Sequence, residues 1–187
     1  MNRIRKLSHS EISENRLKPD SLDRTERMPL YTMLDNIRSM YNVGSIFRSS
    51  DGAFLRKLFI TGFTPTPEKD EVRKTALGAI ESVPWEYAKD PTFILQQLKK
   101  ANVSILALEH TSESIPYYKL TPDVFPACIV VGNEITGISD NILEYVDRAI
   151  EIPMYGTKQS LNVAVAYGIV LFDLVRLYYD RESTTRL

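Results

Sequence analysis

The sequence predicts an α/β domain with a mainly parallel sheet flanked by helices. Short apolar runs alternate with amphipathic segments along most of its 187 residues, a rhythm that places helices between parallel strands. One run, Ala127-Cys-Ile-Val-Val131, is apolar at every position, as a strand covered on both faces requires. A chain of this length can bury a real core as one domain.

Residues 1–28 are polar and charged, punctuated by Pro19 and followed by Pro29, and read as an extension with a short helix. Residues 29–187 form the folded domain. Leu30–Leu34 is the first strand and Asp35–Tyr41 a loop, and a helix follows over Val43–Phe54 with Asn42 as its cap. Lys57–Gly62 is a strand and Phe63–Asp70, with Pro65 and Pro67, a loop. Helix is expected over Glu71–Gly78, strand over Ser82–Tyr87, and an amphipathic helix over Pro91–Lys100 with proline in its first turn. Val103–Leu108 is a buried strand, and a loop surrounds Pro116. After the Ala127–Val131 strand come a short helix over Ser139–Tyr145 and a strand over Ala149–Ile152. The last helix, Ser160 to about Tyr179, is apolar on almost every side, from Leu161 and Val165 through Ile169, Phe172 and Leu174. A helix apolar all round must be covered all round, and one sheet covers one side. A homodimer built through the C-terminal helix is therefore expected.

Composition narrows the class of function. The hydrophobic share of 43% and charged share of 25% are those of an ordinary globular protein, and no apolar run is long enough to cross a bilayer. Met1-Asn-Arg-Ile-Arg-Lys6 lacks the apolar stretch of a secretory signal, so a cytoplasmic protein is expected. Cys128, the lone cysteine, reads as a small buried hydrophobe and rules out a disulfide framework. His9 and His110 stand far apart with no ligand at metal spacing, and no metal is expected. A net charge of −1 demands no nucleic-acid partner. Basic residues do cluster locally: Arg3, Arg5 and Lys6, then Arg16, Lys18, Arg24 and Arg27, with Lys99, Lys100 and Lys158 elsewhere. The acids interleaved with those of the arm, Glu11 to Glu26, suit a solvated surface as well as an RNA contact.

Three segments carry chemistry. The first is Asn42-Val-Gly-Ser-Ile-Phe-Arg48, where Asn42 reads locally as a helix cap and Arg48 as an exposed helix residue. In the second, Val131-Gly-Asn-Glu-Ile-Thr-Gly-Ile-Ser139, glycine at the end of a buried strand lets the backbone approach a ligand. The third, Ile152-Pro-Met-Tyr-Gly-Thr-Lys-Gln-Ser-Leu-Asn162, runs from a strand end into the final helix, with Ser160 placed as its cap.

In this order and spacing the three segments resemble the motifs of the SpoU, or TrmH-like, branch of the SPOUT methyltransferases, over roughly residues 30–178. The resemblance implies an α/β sheet whose C-terminal segment forms a trefoil knot (the SPOUT fold), a topology that general folding rules would have discarded. It implies S-adenosylmethionine as cofactor, bent between the loops after Leu108, Gly132 and Ile152, with Leu108, Gly132, Asn133, Ile152, Met154 and Leu161 as its binding residues. Arg48, Asn42, Glu134, Ser160 and Asn162 are the implied catalytic set. In that set Arg48 handles the proton of the ribose 2′-hydroxyl, either by losing a proton itself in a dry site near the cationic cofactor or by only orienting the hydroxyl and a phosphate with its forked donors. Glu134 anchors either Arg48 or the loops that close the pocket. The implied function is methylation of a ribose 2′-hydroxyl in tRNA or rRNA. The alternative is a non-catalytic RNA-binding or assembly protein that keeps the knotted fold. An ordinary dinucleotide-binding domain would need a glycine-rich fingerprint after the first strand, and Asp35-Asn-Ile-Arg-Ser-Met-Tyr41 is not one.

Overall fold

The computed structural model describes residues 4–14 and 16–185, with side chains as far as residue 181. Arg3 of the basic arm lies outside the described residues. In chain order the elements are α1 (His9–Glu14), β1 (Met28–Asp35), α2 (Met40–Gly52), β2 (Leu55–Thr61), α3 (Asp70–Ala76), α4 (Ala79–Ser82), β3 (Trp85–Ala88), α5 (Thr92–Lys100), β4 (Ser104–Leu108), β5 (Ile115–Pro116), β6 (Ala127–Val131), α6 (Asp140–Leu143), β7 (Arg148–Glu151) and α7 (Val163–Thr185). One seven-stranded sheet runs in the order β3-β2-β1-β6-β4-β7-β5, and every pairing is parallel.

The period of two along β6 explains how the sheet is covered. Ala127, Ile129 and Val131 point into one apolar cluster, which takes in Val43, Ile46 and Phe47 of α2 and Val170, Leu171 and Leu174 of α7. Cys128 and Val130 point into the other, with Leu95 and Leu98 of α5 and Ile142 of α6. All five β6 residues are buried, so a continuous apolar run is what this central position requires. Burial pushes the Cys128 thiol well above its usual range, which leaves it the inert hydrophobe expected. The first cluster is pinned by a polar knot: buried Tyr167 of α7 shares its hydroxyl with Thr32 of β1 at 2.9 Å and Ser50 of α2 at 2.7 Å. Burial pushes the Tyr167 phenol up to about 12.

Several element ends differ from expectation for local reasons. The helix of the first motif starts at Met40, because Ser39 rather than Asn42 is its cap: Ser39 Oγ accepts the Asn42 N–H at 3.3 Å. The final helix starts at Val163 because Asn162, not Ser160, caps it, its Oδ1 accepting from Ala164 N at 3.0 Å and Val165 N at 3.3 Å. Ser82 closes the helical turn α4, so β3 begins three residues later than expected. Ile115–Pro116, read as loop, forms the two-residue edge strand β5, too short for any periodic signal.

Two parts of the surface bear on the sequence reading. Tyr167, Val170, Leu171 and Leu174 fill the buried face of α7, while Val165, Ile169 and Phe172 line an exposed apolar stripe on the other. In the arm, Arg27 is structural. It donates to Leu55 O at 3.1 Å and Ser82 O at 2.7 Å, and its guanidinium stacks 4.3 Å from the centre of the Phe54 ring. Lys99 pairs with Asp147, and Arg5 with Glu11 at 2.5 Å. Among the described residues no helix is long and apolar enough to cross a membrane.

Candidate active site

The carboxyl ends of β6, β4 and β7 lie side by side in the middle of the sheet, and ligands of open parallel sheets settle beyond such ends. The loops that follow them wall a cleft of about 610 Å³, within the range that encloses a cofactor-sized molecule. Leu108, Gly132, Asn133, Ile152, Met154 and Leu161, the six residues expected to hold a cofactor, all line it. Glu134, Ser160 and Asn162 line it as well.

Gly132 shows why the second motif needs glycine. A Cβ at this position would stand 2.4 Å from the backbone of both Gly137 and Ile138, so any side chain would push apart the loop that shapes the cleft. That loop closes on itself: Asn133 N and Gly137 O are 3.0 Å apart and Gly137 N and Asn133 O 2.9 Å. The Asn133 side chain is buried within it. Its Oδ1 accepts from Ile135 N and Thr136 N, and its Nδ2 donates to Asn36 O at 2.7 Å.

Glu134 ties the second motif to the first. It accepts Arg38 N–H at 2.9 Å, Ser39 N–H at 3.1 Å and Asn42 Nδ2–H at 2.8 Å. Partial burial pushes its carboxyl up, but the hydrogen bonds from Arg38, Asn42 and Ser39 outweigh this and hold it below its usual range. Of the two roles expected for Glu134, loop anchoring is the one the contacts provide. Asn42 Oδ1 in turn accepts Asn162 Nδ2–H at 3.0 Å. Asn162 thus caps α7 through its oxygen and bridges to α2 through its nitrogen, joining all three motifs at one junction.

Two expected residues stand apart. Ser160 is an exposed wall of the cleft and makes no cap. Arg48, six positions beyond Asn42 on α2, is exposed and outside the cleft lining. It follows Phe47 of the core and precedes Ser49, whose Oγ lies 3.8 Å from where a Cβ on Gly168 of α7 would stand.

The sequence reading passed over an acidic wall. Glu109, His110 and Glu151 also line the cleft. Glu109 accepts His110 N–H at 2.9 Å and Ile138 N–H at 3.1 Å, fastening the loop after β4 to the second motif. Glu151 accepts from Ser114 Oγ at 2.5 Å and faces His110 Nδ1 at 3.3 Å, and these contacts hold its carboxyl below its usual range. Each glutamate adjoins a residue that the resemblance singled out, Leu108 or Ile152, and that adjacency was the available signal. Among the described residues no group of three or more His, Cys, Asp or Glu side chains is placed to hold a metal ion.

A family model described as the SpoU rRNA Methylase family matches residues 29–172. The chain belongs to this family. As a SpoU-family protein it is 31% identical over 157 residues to the 23S rRNA (guanosine-2′-O-)-methyltransferase RlmB of Neisseria meningitidis, covering 84% of this chain and 62% of that protein. It therefore spans less than two thirds of that relative's length. Among solved structures it is similar to the A. aeolicus TrmH/SpoU tRNA modifying enzyme, with a TM-score of 0.77 and 30% identity over 87% of this chain and 85% of that one. It is also similar to an AdoMet-bound rRNA methyltransferase from Sinorhizobium meliloti, with a TM-score of 0.73 and 28% identity over 83% of this chain and 59% of that one. The parallel sheet and its flanking helices are the SpoU-family fold.

Proposed function

We propose that this SpoU-family protein transfers a methyl group from S-adenosylmethionine to a ribose 2′-hydroxyl of tRNA or rRNA in the cytoplasm. The observation that carries the reading is the junction of Asn42, Glu134 and Asn162 at the rim of a cleft lined by Leu108, Ile152, Met154 and Leu161.

The cleft's own chemistry fits the cofactor. Apolar side chains offer a surface for an adenine ring, and the loops that begin at Gly132 and Ile152 wall the cleft around it. Glu109, Glu134 and Glu151 make the walls acidic, which suits a molecule carrying a sulfonium and an ammonium group. When bound, that sulfonium supplies an already reactive methyl electrophile.

What remains for the chain is to place the ribose oxygen and to let its proton leave to solvent as the O–CH3 bond forms and the S–CH3 bond breaks. Holding the ribose oxygen in line with the methyl group makes the encounter effectively unimolecular, worth effective molarities of up to about 10⁵ to 10⁸ M. The Asn42–Glu134–Asn162 junction fixes the polar rim against which the ribose rests. Arg48 orients the hydroxyl and a neighbouring phosphate through its forked donors, since a guanidinium with a pKa above about 12 stays protonated. A second copy covering the exposed stripe of α7 brings Arg48 into an enclosed site, because α2 and α7 pack together where Ser49 meets Gly168. The working form in this reading is a homodimer. The C-terminal segment carries the family's trefoil knot, residues 29–187 are the catalytic domain, and residues 1–28 are an arm toward RNA.

Transfer of labelled methyl from S-adenosylmethionine to total RNA, fractionated by size and mapped for 2′-O-methyl positions, tests this reading, with Arg48→Ala in parallel. The expected result is label in one RNA class, lost with Arg48→Ala while cofactor binding persists. Transfer at wild-type rate by the variant removes Arg48 from the mechanism. Cofactor binding without any transfer favours the non-catalytic RNA-binding alternative.

A further inference from the structure

Beside the junction, three backbone segments rise to the surface at the carboxyl edge of the sheet and carry side chains that the fold does not use. Tyr41 is 66% exposed, Phe63 64% and Ile135 73%, and Arg38 is exposed with them. Among the described residues Arg38 makes no side-chain hydrogen bond or ion pair.

Their main chains, by contrast, are held firmly. Glu134 accepts from Arg38 N, Ser39 N and the Asn42 side chain, so the turn from Arg38 to Tyr41 is clamped to the rim of the cleft. Asn36 Oδ1 accepts Phe63 N–H at 3.2 Å, and Asn36 Nδ2 donates to Ser139 Oγ at 3.2 Å. Asn133 fixes Ile135 N through its Oδ1 and Asn36 O through its Nδ2. Two aromatic rings and a guanidinium therefore stand on one hydrogen-bonded pedestal. Ordering them on a ligand costs side-chain freedom only.

The charge of the rim selects the ligand. In residues 36–41, 62–65 and 135–138 the one ionised side chain is the cation Arg38, while the neighbouring Glu134 carboxylate is taken up by the Arg38 and Ser39 N–H groups and the Asn42 amide. Exposed aromatic faces beside an unpaired guanidinium are the chemistry that stacks unpaired bases and holds a phosphate.

We infer that Arg38, Tyr41 and Phe63 form a platform for single-stranded RNA, with Tyr41 and Phe63 stacking bases that flank the target nucleotide and Arg38 holding the phosphate between them. The inference rests on the methyltransferase reading. It requires the modified ribose to lie in an unpaired loop or bulge, because a base within a duplex cannot reach the rings. Recognition of this kind tolerates different bases, so it selects structure before sequence.

The test uses the full chain and two labelled probes, total tRNA and fragmented ribosomal RNA, with affinity read by fluorescence anisotropy over a salt series. Tyr41→Ala and Phe63→Ala are each expected to weaken binding about ten-fold and to raise KM for RNA without changing affinity for S-adenosylmethionine. Tyr41→Phe keeps the ring and the affinity. Arg38→Ala is expected to flatten the slope of log affinity against log salt by about 0.7, one single-strand phosphate contact. Unchanged RNA affinity in the three alanine variants, or no RNA binding by the wild-type chain, overturns the platform. So does a shift of oligomeric state in place of affinity, which assigns the patch to a protein interface. RNA binding through these side chains without methyl transfer upholds the platform and overturns the methyltransferase reading. Methyl transfer with variants indistinguishable from wild type does the reverse.

Discussion

Asn162 Nδ2 donates to Asn42 Oδ1 at 3.0 Å, joining the first and third motifs across 120 residues of chain. Each asparagine has a second engagement: Asn42 donates to Glu134 and Asn162 caps α7. The two functions of Asn162 can be separated by substitution. Asn162→Ala removes cap and bridge together and is expected to cost about 1 kcal/mol of stability. Asn162→Asp keeps the capping oxygen but loses the donor and sets a carboxylate against the Asn42 oxygen. Denaturant unfolding should find Asp close to wild type and Ala weakened, while both lose methyl transfer.

Gly132 offers a test of the cleft that leaves its polar groups alone. Gly132→Ala forces a methyl to within 2.4 Å of the Gly137 and Ile138 backbone, and neither can yield without opening the hydrogen-bonded loop. The expected cost is about 1 to 3 kcal/mol of stability, with affinity for S-adenosylmethionine falling more steeply than affinity for RNA. Calorimetric titration of both ligands checks this; equal losses for the two would mean that the loop serves the whole fold.

Acidification should loosen the junction. The Glu134 carboxyl has a folded pKa below its unfolded value, so the stability it contributes is present above the usual carboxylate range and is lost as pH falls through the folded pKa. Removing its charge detaches the Arg38–Asn42 turn from the second motif. Thermal midpoints measured from neutral to acid pH should therefore converge for wild type and Glu134→Gln at the acid end, with the variant lower at neutrality. A constant gap at every pH would mean that the charge of Glu134 does not hold the turn.

How far the site could be read in advance depended on the range of the interaction that decides each residue. The β6 run is one-dimensional information, since burial on both faces makes every position apolar, and its ends match expectation. The six positions implied by the resemblance all line the cleft, and they meet because the carboxyl ends of β4, β6 and β7 lie side by side in the sheet. Caps were less legible. Ser39 and Asn42 are both good capping residues three apart, and Glu134, far along the chain, engages the side chain of the second. Ser160 and Asn162 pose the same choice. Charge was the weakest guide: Arg27 belonged to a basic cluster in the sequence, yet it packs on Phe54 and holds two carbonyls. No local pattern distinguishes a cation that meets RNA from one that staples an arm.

The apolar girdle of α7 was legible, and half of it is accounted for within one chain. Val165, Ile169 and Phe172 recur at helical spacing on the face that Tyr167, Val170 and Leu171 leave open. The stripe continues to Arg176, which pairs with Asp173 at 2.9 Å and Asp180 at 2.8 Å, as polar residues rim an apolar contact. A second copy presenting the same stripe would bury it isologously. Ile169→Glu sets a carboxylate at the centre of that contact, where burial without a partner is strongly unfavourable. The side chain is exposed within the single chain, so the fold itself should tolerate the change to within about 0.5 kcal/mol. Light scattering should report a dimer for the wild type and a monomer for the variant, with circular dichroism unchanged. Methyl transfer should fall with the dimer, because Arg48 then has no second surface to enclose it. A variant that remains a dimer would move the interface elsewhere, and a monomeric variant with full activity would show that one chain completes the site.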